Sequence, residues 1–123
     1  FENIHAGRKE VSQADVMWAI SMVGLNEFVE TSPKGLLTHI DPEGRRLASG
    51  IIHKIVLARA IAEKPKLLLM EDSLTSMNHD ERAAIYSRIL DKTNGWTVLI
   101  SSNDELVSTL CDDTVTLHKG TIH

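Results

Sequence analysis

The adjacent carboxylates Glu71 and Asp72 close the apolar run Leu67-Leu68-Leu69-Met70. A run this short and this apolar suits a strand covered on both faces in a parallel sheet. In layered α/β folds, ligands bind just outside the carboxyl ends of such strands. Two acids there can hold Mg²⁺, usually through water, and orient an attacking water toward a phosphate. Acidic pairs at strand ends also occur as solvated loop residues, and on residue type alone both readings stay open.

The surrounding chain alternates helix and strand. Ser12 is placed to cap a helix in which Val16, Ala19, Ile20 and Val23 recur at helical spacing until Gly24 stops it. A shorter helix spans Asn26 to Glu30, and Pro33-Lys34-Gly35 reads as a turn. Leu36 to Ile40 reads as extended, followed by the turn Asp41-Pro42-Glu43-Gly44. Ser49 can cap a helix carrying Ile52, Ile55, Val56, Arg59 and Ala60 as far as Lys64-Pro65. Beyond Glu71-Asp72, Asn78 and Glu81 form a capping-box pattern for a helix closed by Asn94-Gly95. Trp96 to Ser101 is a second buried strand, and Ser102 with Glu105 opens a helix reaching Leu110. Thr114 to His118 and Thr121 to His123 flank Lys119-Gly120 as a hairpin with a short last strand. This order predicts a layered α/β fold.

Composition bounds the function. The 123 residues suffice for one globular domain, and 13 basic against 17 acidic residues leave a net charge of -4. No Lys/Arg stripe is present to track a phosphate backbone, so nucleic acid is not the expected partner. The single cysteine, Cys111, has no internal disulfide partner, and no apolar run approaches the roughly 20 residues of a spanning helix. These features predict a soluble chain suited to a reducing compartment. It opens on Phe1 with no charged-then-apolar leader, which suggests an excised segment.

Six motifs in order carry a family resemblance. Glu2-Asn3-Ile4 resembles the Glu-Asn-Ile that follows the Q-loop in exporter-type ABC ATPases, and Gly24 to Gly35 resembles the end of their helical subdomain. Leu47 to Ile61 resembles the LSGGQ signature and its helix, Leu67 to Asn78 the Walker B and D-loop, and Thr97 to Asp104 the strand into the H-loop. Asp113 to Ile122 is similar to the family's closing hairpin. The resemblance implies the C-terminal portion of an ABC transporter nucleotide-binding domain. Its expected fold is a helical subdomain, residues 1–64, and part of a three-layer parallel sheet, residues 65–123, ending in a truncated hairpin.

The resemblance also implies ATP and Mg²⁺ as cofactors of a longer parent. A second ABC ATPase domain and a transmembrane domain would be its partners, at the cytoplasmic face of a membrane. Carried over residue by residue, it implies Glu71 on the metal and Asp72 and Asn103 in catalysis. It puts Ala48, Ser49, Gly50 and Asn78 in contact with nucleotide.

Three of these motifs, the signature, the Walker B with its D-loop and the H-loop, depart from the family pattern. Leu-Ser-Gly-Gly-Gln becomes Leu47-Ala48-Ser49-Gly50-Ile51, losing a hydroxyl at Ala48. Ser49 is then either a helix cap or a shifted phosphate contact, beside a Gly50 that permits close backbone approach. Walker B Asp-Glu is inverted to Glu71-Asp72, and displacements of roughly 1 Å can cost about a hundredfold in positioned catalysis. The D-loop aspartate is Asn78, whose amide suits a helix cap. The H-loop histidine is Asn103, which donates a hydrogen bond but carries no positive charge.

No two of the seven glycines stand five apart, so the chain carries no Walker A, and the P-loop is expected upstream. Tight ATP binding by the 123 residues alone is therefore not expected. The six histidines show no metal spacing, Trp18 and Trp96 read as core or interface anchors, Cys111 reads as a small buried hydrophobe, and Asp80-Glu81-Arg82 reads as a solvated first turn. Two functions follow: a transporter ATPase with impaired motifs, or a catalytically silent ABC-like domain that binds nucleotide or a partner.

Overall fold

The computed structural model describes residues 1–31, 35, 49–72, 74 and 77–122. The expected strand at Leu36 to Ile40, the turn at Asp41 to Gly44 and Ala48 lie outside them. The elements are α1 (Glu2–His5), α2 (Gln13–Val23), α3 (Asn26–Thr31), α4 (Ser49–Ile61), β1 (Leu67–Glu71), α5 (His79–Ile89), β2 (Thr97–Ser101), α6 (Glu105–Leu110), β3 (Leu117–His118) and β4 (Thr121–Ile122).

Local signals explain most boundaries. Ser12 and Asp15 form a reciprocal capping box at the start of α2, and Gly24 ends it at φ 74°, a left-handed position that glycine adopts without a Cβ penalty. At α5 the Asn78 side chain accepts the Glu81 amide at 2.8 Å, but the Glu81 carboxylate pairs with Lys54 of α4 instead of returning to the cap. The expected box is therefore half formed. α5 also stops at Ile89, before Asn94-Gly95. That pair instead closes a 3₁₀ turn, Lys92–Asn94, and the Asn94 amide reaches back to the carbonyls of Arg88 and Ile89, which the helix end leaves unpaired.

Two other caps shift. α4 already includes Ser49, one residue earlier than a Ser49 cap would start it. α6 is capped by Asp104, whose carboxylate accepts the Leu106 amide at 2.9 Å, while the Ser102 hydroxyl accepts the Asp104 amide at 3.0 Å. In the hairpin, Lys119 and Gly120 both take positive φ, 49° and 79°, as a two-residue turn between antiparallel strands requires.

The core is a helix cluster laid against one face of a small sheet. Val16, Ala19, Ile20 and Val23 of α2 pack on α4, which buries Leu57, Ala58 and Ile61, and α1 packs on α4 as well. The junction is tied by Arg8, which donates to the carbonyls of Ile4 at 2.8 Å and Arg59 at 2.7 Å. α5 adds Ile85, Tyr86 and Ile89. Trp18 and Trp96 meet with centroids 5.9 Å apart, and the Trp96 indole donates to Ile89 O at 2.8 Å, so both anchor the helix–sheet seam as expected. Cys111 is half-buried, and burial holds its thiol pKa above the ordinary value.

β1 and β2 pair in parallel, with Leu68 opposite Val98, Leu69 opposite Leu99 and Glu71 opposite Ser101. The sheet departs from expectation on one face. Period two sends Leu68 and Met70 toward the helices and Leu67, Leu69 and Leu99 to the other side, where they are 54%, 66% and 65% exposed. The apolar run fits a strand covered twice, but the described residues cover it once. Replacing the cross-strand pair Leu69 and Leu99 by threonine is therefore expected to change stability by less than about 1 kcal/mol in urea titration. The same change should lower self-association in sedimentation velocity, because an exposed apolar sheet face promotes assembly.

Candidate functional site

The carboxyl ends of β1 and β2 open into a recess of about 630 Å³ lined by Glu71, Asp72 and residues 101–105. Glu71 and Asp72 are neighbours in sequence but face opposite sides of the sheet. Glu71 continues the exposed side with Leu67 and Leu69, and it is itself exposed. Asp72 extends the ladder by one bond, its amide donating to Ser101 O at 2.9 Å, and turns its side chain toward α5. There it is 6% exposed.

Asp72 accepts hydrogen bonds on both oxygens. Oδ1 accepts from the Tyr86 hydroxyl at 2.6 Å and from Arg82 Nη2 at 3.3 Å; Oδ2 accepts from Arg82 Nη2 at 3.0 Å and from the Ser102 hydroxyl at 2.6 Å. Burial by itself would raise the Asp72 pKa, but the Ser102 and Tyr86 hydroxyls and the Arg82 guanidinium together outweigh it and hold it below the usual carboxylate value. The Tyr86 phenol is pushed up, by burial first and by the Asp72 anion second.

Arg82 also reaches Asp104 through Nη1, and that contact lowers the Asp104 pKa. The guanidinium thus bridges the end of β1 and the β2–α6 loop, with its side chain 8% exposed. This overturns the reading of Asp80-Glu81-Arg82 as a wholly solvated turn. Asp80 is exposed, Glu81 pairs with the buried Lys54, and Arg82 is buried.

The other sequence-derived residues fall as follows. Asn103 is exposed at the recess between Ser102 and Asp104. Gly50 lies in the first turn of α4 beside Met77, whose side chain would stand 3.6 Å from an added Cβ, an ordinary contact. Ser49 begins α4, and Ala48 lies outside the described residues. Asn78 caps α5 through its side chain. The recess therefore gathers Glu71, Asp72 and Asn103, whereas Gly50 and Asn78 sit at the starts of α4 and α5 and do not line it. Among the described residues, no group of three His, Cys, Asp or Glu side chains is placed to hold a metal.

Sequence reasoning missed Arg82, Tyr86 and Ser102 as partners of Asp72. A signal was present: Arg82 and Tyr86 stand four apart on one face of a helix, and period two turns Asp72 toward the side of the sheet where such a helix packs.

Comparison with known proteins fits this architecture. The chain aligns over 121 residues, 98% of its length, with ABC transporter B family member 14 of Arabidopsis thaliana at 24% identity. Over 91 residues, 74% of its length, it is 31% identical to multidrug resistance protein 1 of Plasmodium falciparum. The chain is homologous to ABC transporter proteins. An uncharacterized ABC transporter ATP-binding protein of Bacillus subtilis, YwjA, is 29% identical over 99 residues. A bacterial Atm1-family ABC exporter solved with ATP bound matches the fold over 97% of the chain, with a TM-score of 0.81 and 23% identity. No family model matches. The ABC homology covers a small share of each relative: the chain spans 10% of the Arabidopsis protein, 6% of the Plasmodium protein and 17% of YwjA. Among the described residues, no helix is long and apolar enough to cross a membrane.

The Asp72 network sets a stability expectation. Asp72→Asn leaves the Arg82 charge buried beside a neutral amide, and such a loss costs about 3 kcal/mol. Because the folded-state pKa of Asp72 is depressed, its contribution is fully present above the unfolded value of about 3.9 and is lost as pH falls through the lower folded value. Urea midpoints should therefore drop for Asp72→Asn at pH 7, and the gap to wild type should narrow below about pH 4. A gap independent of pH would count against the network.

Proposed function

We propose that this chain supplies the signature helix, Walker B-like strand and H-loop-like segment of an ABC-type nucleotide-binding domain, and that its own Walker B position is catalytically silent. The helical part is residues 1–64 and the sheet part residues 65–123. The observation that carries the silent reading is the Asp72 carboxylate. Both its oxygens are engaged and its pKa is depressed, whereas a general base works best with a pKa near the operating pH and a free lone pair aimed at water.

Glu71 keeps an exposed carboxylate at the recess, and a single carboxylate suits Mg²⁺, which retains several waters and takes further contacts from phosphates. Bound Mg-ATP would supply the phosphoryl group and the charge that such a site recognises. Asn103 would offer an amide hydrogen bond toward a terminal phosphate, and Gly50 would bring the start of α4 close to an anion. In this reading the chain works within a longer transporter. ATP and Mg²⁺ are gripped by a P-loop that this sequence does not contain, and a second ABC ATPase domain and a transmembrane domain are its partners at the cytoplasmic face of a membrane.

The other reading, an ATPase whose Asp72 still orients water, rests on the position of Asp72 at the strand end within the recess. Turnover separates the two. In the complete transporter, Asp72→Asn should leave ATP hydrolysis per folded molecule within about twofold of wild type under the silent reading. A loss of about a hundredfold would restore Asp72 as the water-orienting group. For the 123-residue chain alone, calorimetric titration with Mg-ATP should give no micromolar binding isotherm. A micromolar Kd would overturn the dependence on a P-loop elsewhere.

A further inference from the structure

We propose that Arg82 is a positioning residue that clamps the carboxyl end of β1 to the β2–α6 loop and thereby fixes Asn103 at the mouth of the recess. This rests on the recess being the ligand-facing site, as proposed above.

The geometry brackets Asn103 on both sides. Before it, the Ser102 hydroxyl donates to Asp72 Oδ2 at 2.6 Å and accepts the Asp104 amide at 3.0 Å. After it, Asp104 gives one carboxylate oxygen to Arg82 Nη1 and the other to the Leu106 amide at 2.9 Å. Arg82 holds Asp72 through Nη2 at 3.0 Å, so one guanidinium carries both anchors of the loop. A planar fork with donors on separate nitrogens can bridge two carboxylates, which the point charge of lysine does less well. Tyr86, one turn along α5, completes the Asp72 shell, and its ring centroid lies 6.0 Å from the guanidinium carbon. Glu71 lies on the exposed side of the sheet, outside this shell. The charged and titratable groups acting on the pair are thus Asp72, Tyr86, Asp104 and, from the start of α5, His79.

A bridge that only added stability would leave the loop's position unaffected once the protein had folded. The test is therefore local, by NMR on the 123-residue chain. Carboxyl-carbon titration should place Asp104 below the ordinary value of about 3.9 in wild type, and it should rise toward that value in Arg82→Gln. In the same variant, hydrogen exchange at the Asp104 and Leu106 amides should speed up about tenfold or more while Ile20 and Val23 in α2 stay protected. Asp104→Asn keeps the oxygen that caps α6 and removes only the loop end of the clamp. It should speed exchange at the residue-104 amide while Ile20 and Val23 stay protected, and it decides the question if Arg82→Gln does not fold. Unchanged exchange at residues 104 and 106 in the folded variants, or an ordinary Asp104 titration in wild type, would overturn the proposal. No nucleotide enters these measurements, so their outcome is independent of whether the chain binds ATP.

Discussion

A buried guanidinium needs its carboxylates. Arg82 is 8% exposed in its side chain, and withdrawing Asp72 would leave that charge in a poorly solvated place at a cost of several kcal/mol. The position of β1, the β2–α6 loop and α5 relative to one another is set by that requirement. Its neighbour Glu81 extends the constraint in another direction, pairing with Lys54, which is nearly as buried on α4. Successive helical residues point about 100° apart, so an acid and a base side by side on α5 reach two different partners. The first turn of α5 is the joint at which the helix cluster and the sheet end are locked together, and the Asn78 cap holds that turn in place.

The second constraint is the strand's period of two. Paired acids look like one chemical unit on paper, yet on an extended backbone they part to opposite faces. Glu71 goes with Leu67 and Leu69 to the exposed side; Asp72 goes to α5. Ser101 and Ser102 divide in the same way across the ladder, with Glu71 opposite Ser101 and the Ser102 hydroxyl on Asp72. At the end of β1 the recess therefore presents one exposed carboxylate, Glu71, and one already saturated by donors, Asp72.

Much of the architecture was legible because its signals are local. Ser12 and Gly24 bound α2, Pro65 follows the end of α4, and the apolar runs at residues 67–70 and 97–100 became the two paired strands. The ordered motifs located the family, and the fold match extends along nearly the whole chain. What was not legible depended on long-range contacts. Glu81 fits a capping box in sequence, but a buried lysine from α4 competes for its carboxylate and wins, because an unpaired buried ammonium is costlier than an open cap. Asn94-Gly95 looks like a helix stop, yet Leu90 ends the helix and the asparagine serves the freed carbonyls from a separate turn. Arg82 sits in a charged triplet that reads as solvated, and only the packing of α5 against the end of β1 shows that it is not. Coverage of the sheet's second face is likewise a property of what packs there, which an apolar run cannot specify.

The same four hydrogen bonds make Asp72 a strong structural element and a weak base. Each unit by which a carboxylate's pKa is lowered in the folded state is about 1.4 kcal/mol of stabilisation relative to the unfolded chain, and about a tenfold smaller fraction protonated at a given pH. Proton affinity is what a group that activates water must offer, so stability and basicity move in opposite directions at this position. Releasing Asp72 for catalysis would require Tyr86, Ser102 and Arg82 to give up their contacts, and Arg82 would then pull on Asp104 alone. The loop bearing Asn103 would lose one of its two anchors in the same step. An arrangement in which freeing the acid loosens the opposite wall of its own site favours holding parts in place over turning substrate over. That trade-off is the physical argument behind the proposal that the Asp72 position is catalytically silent.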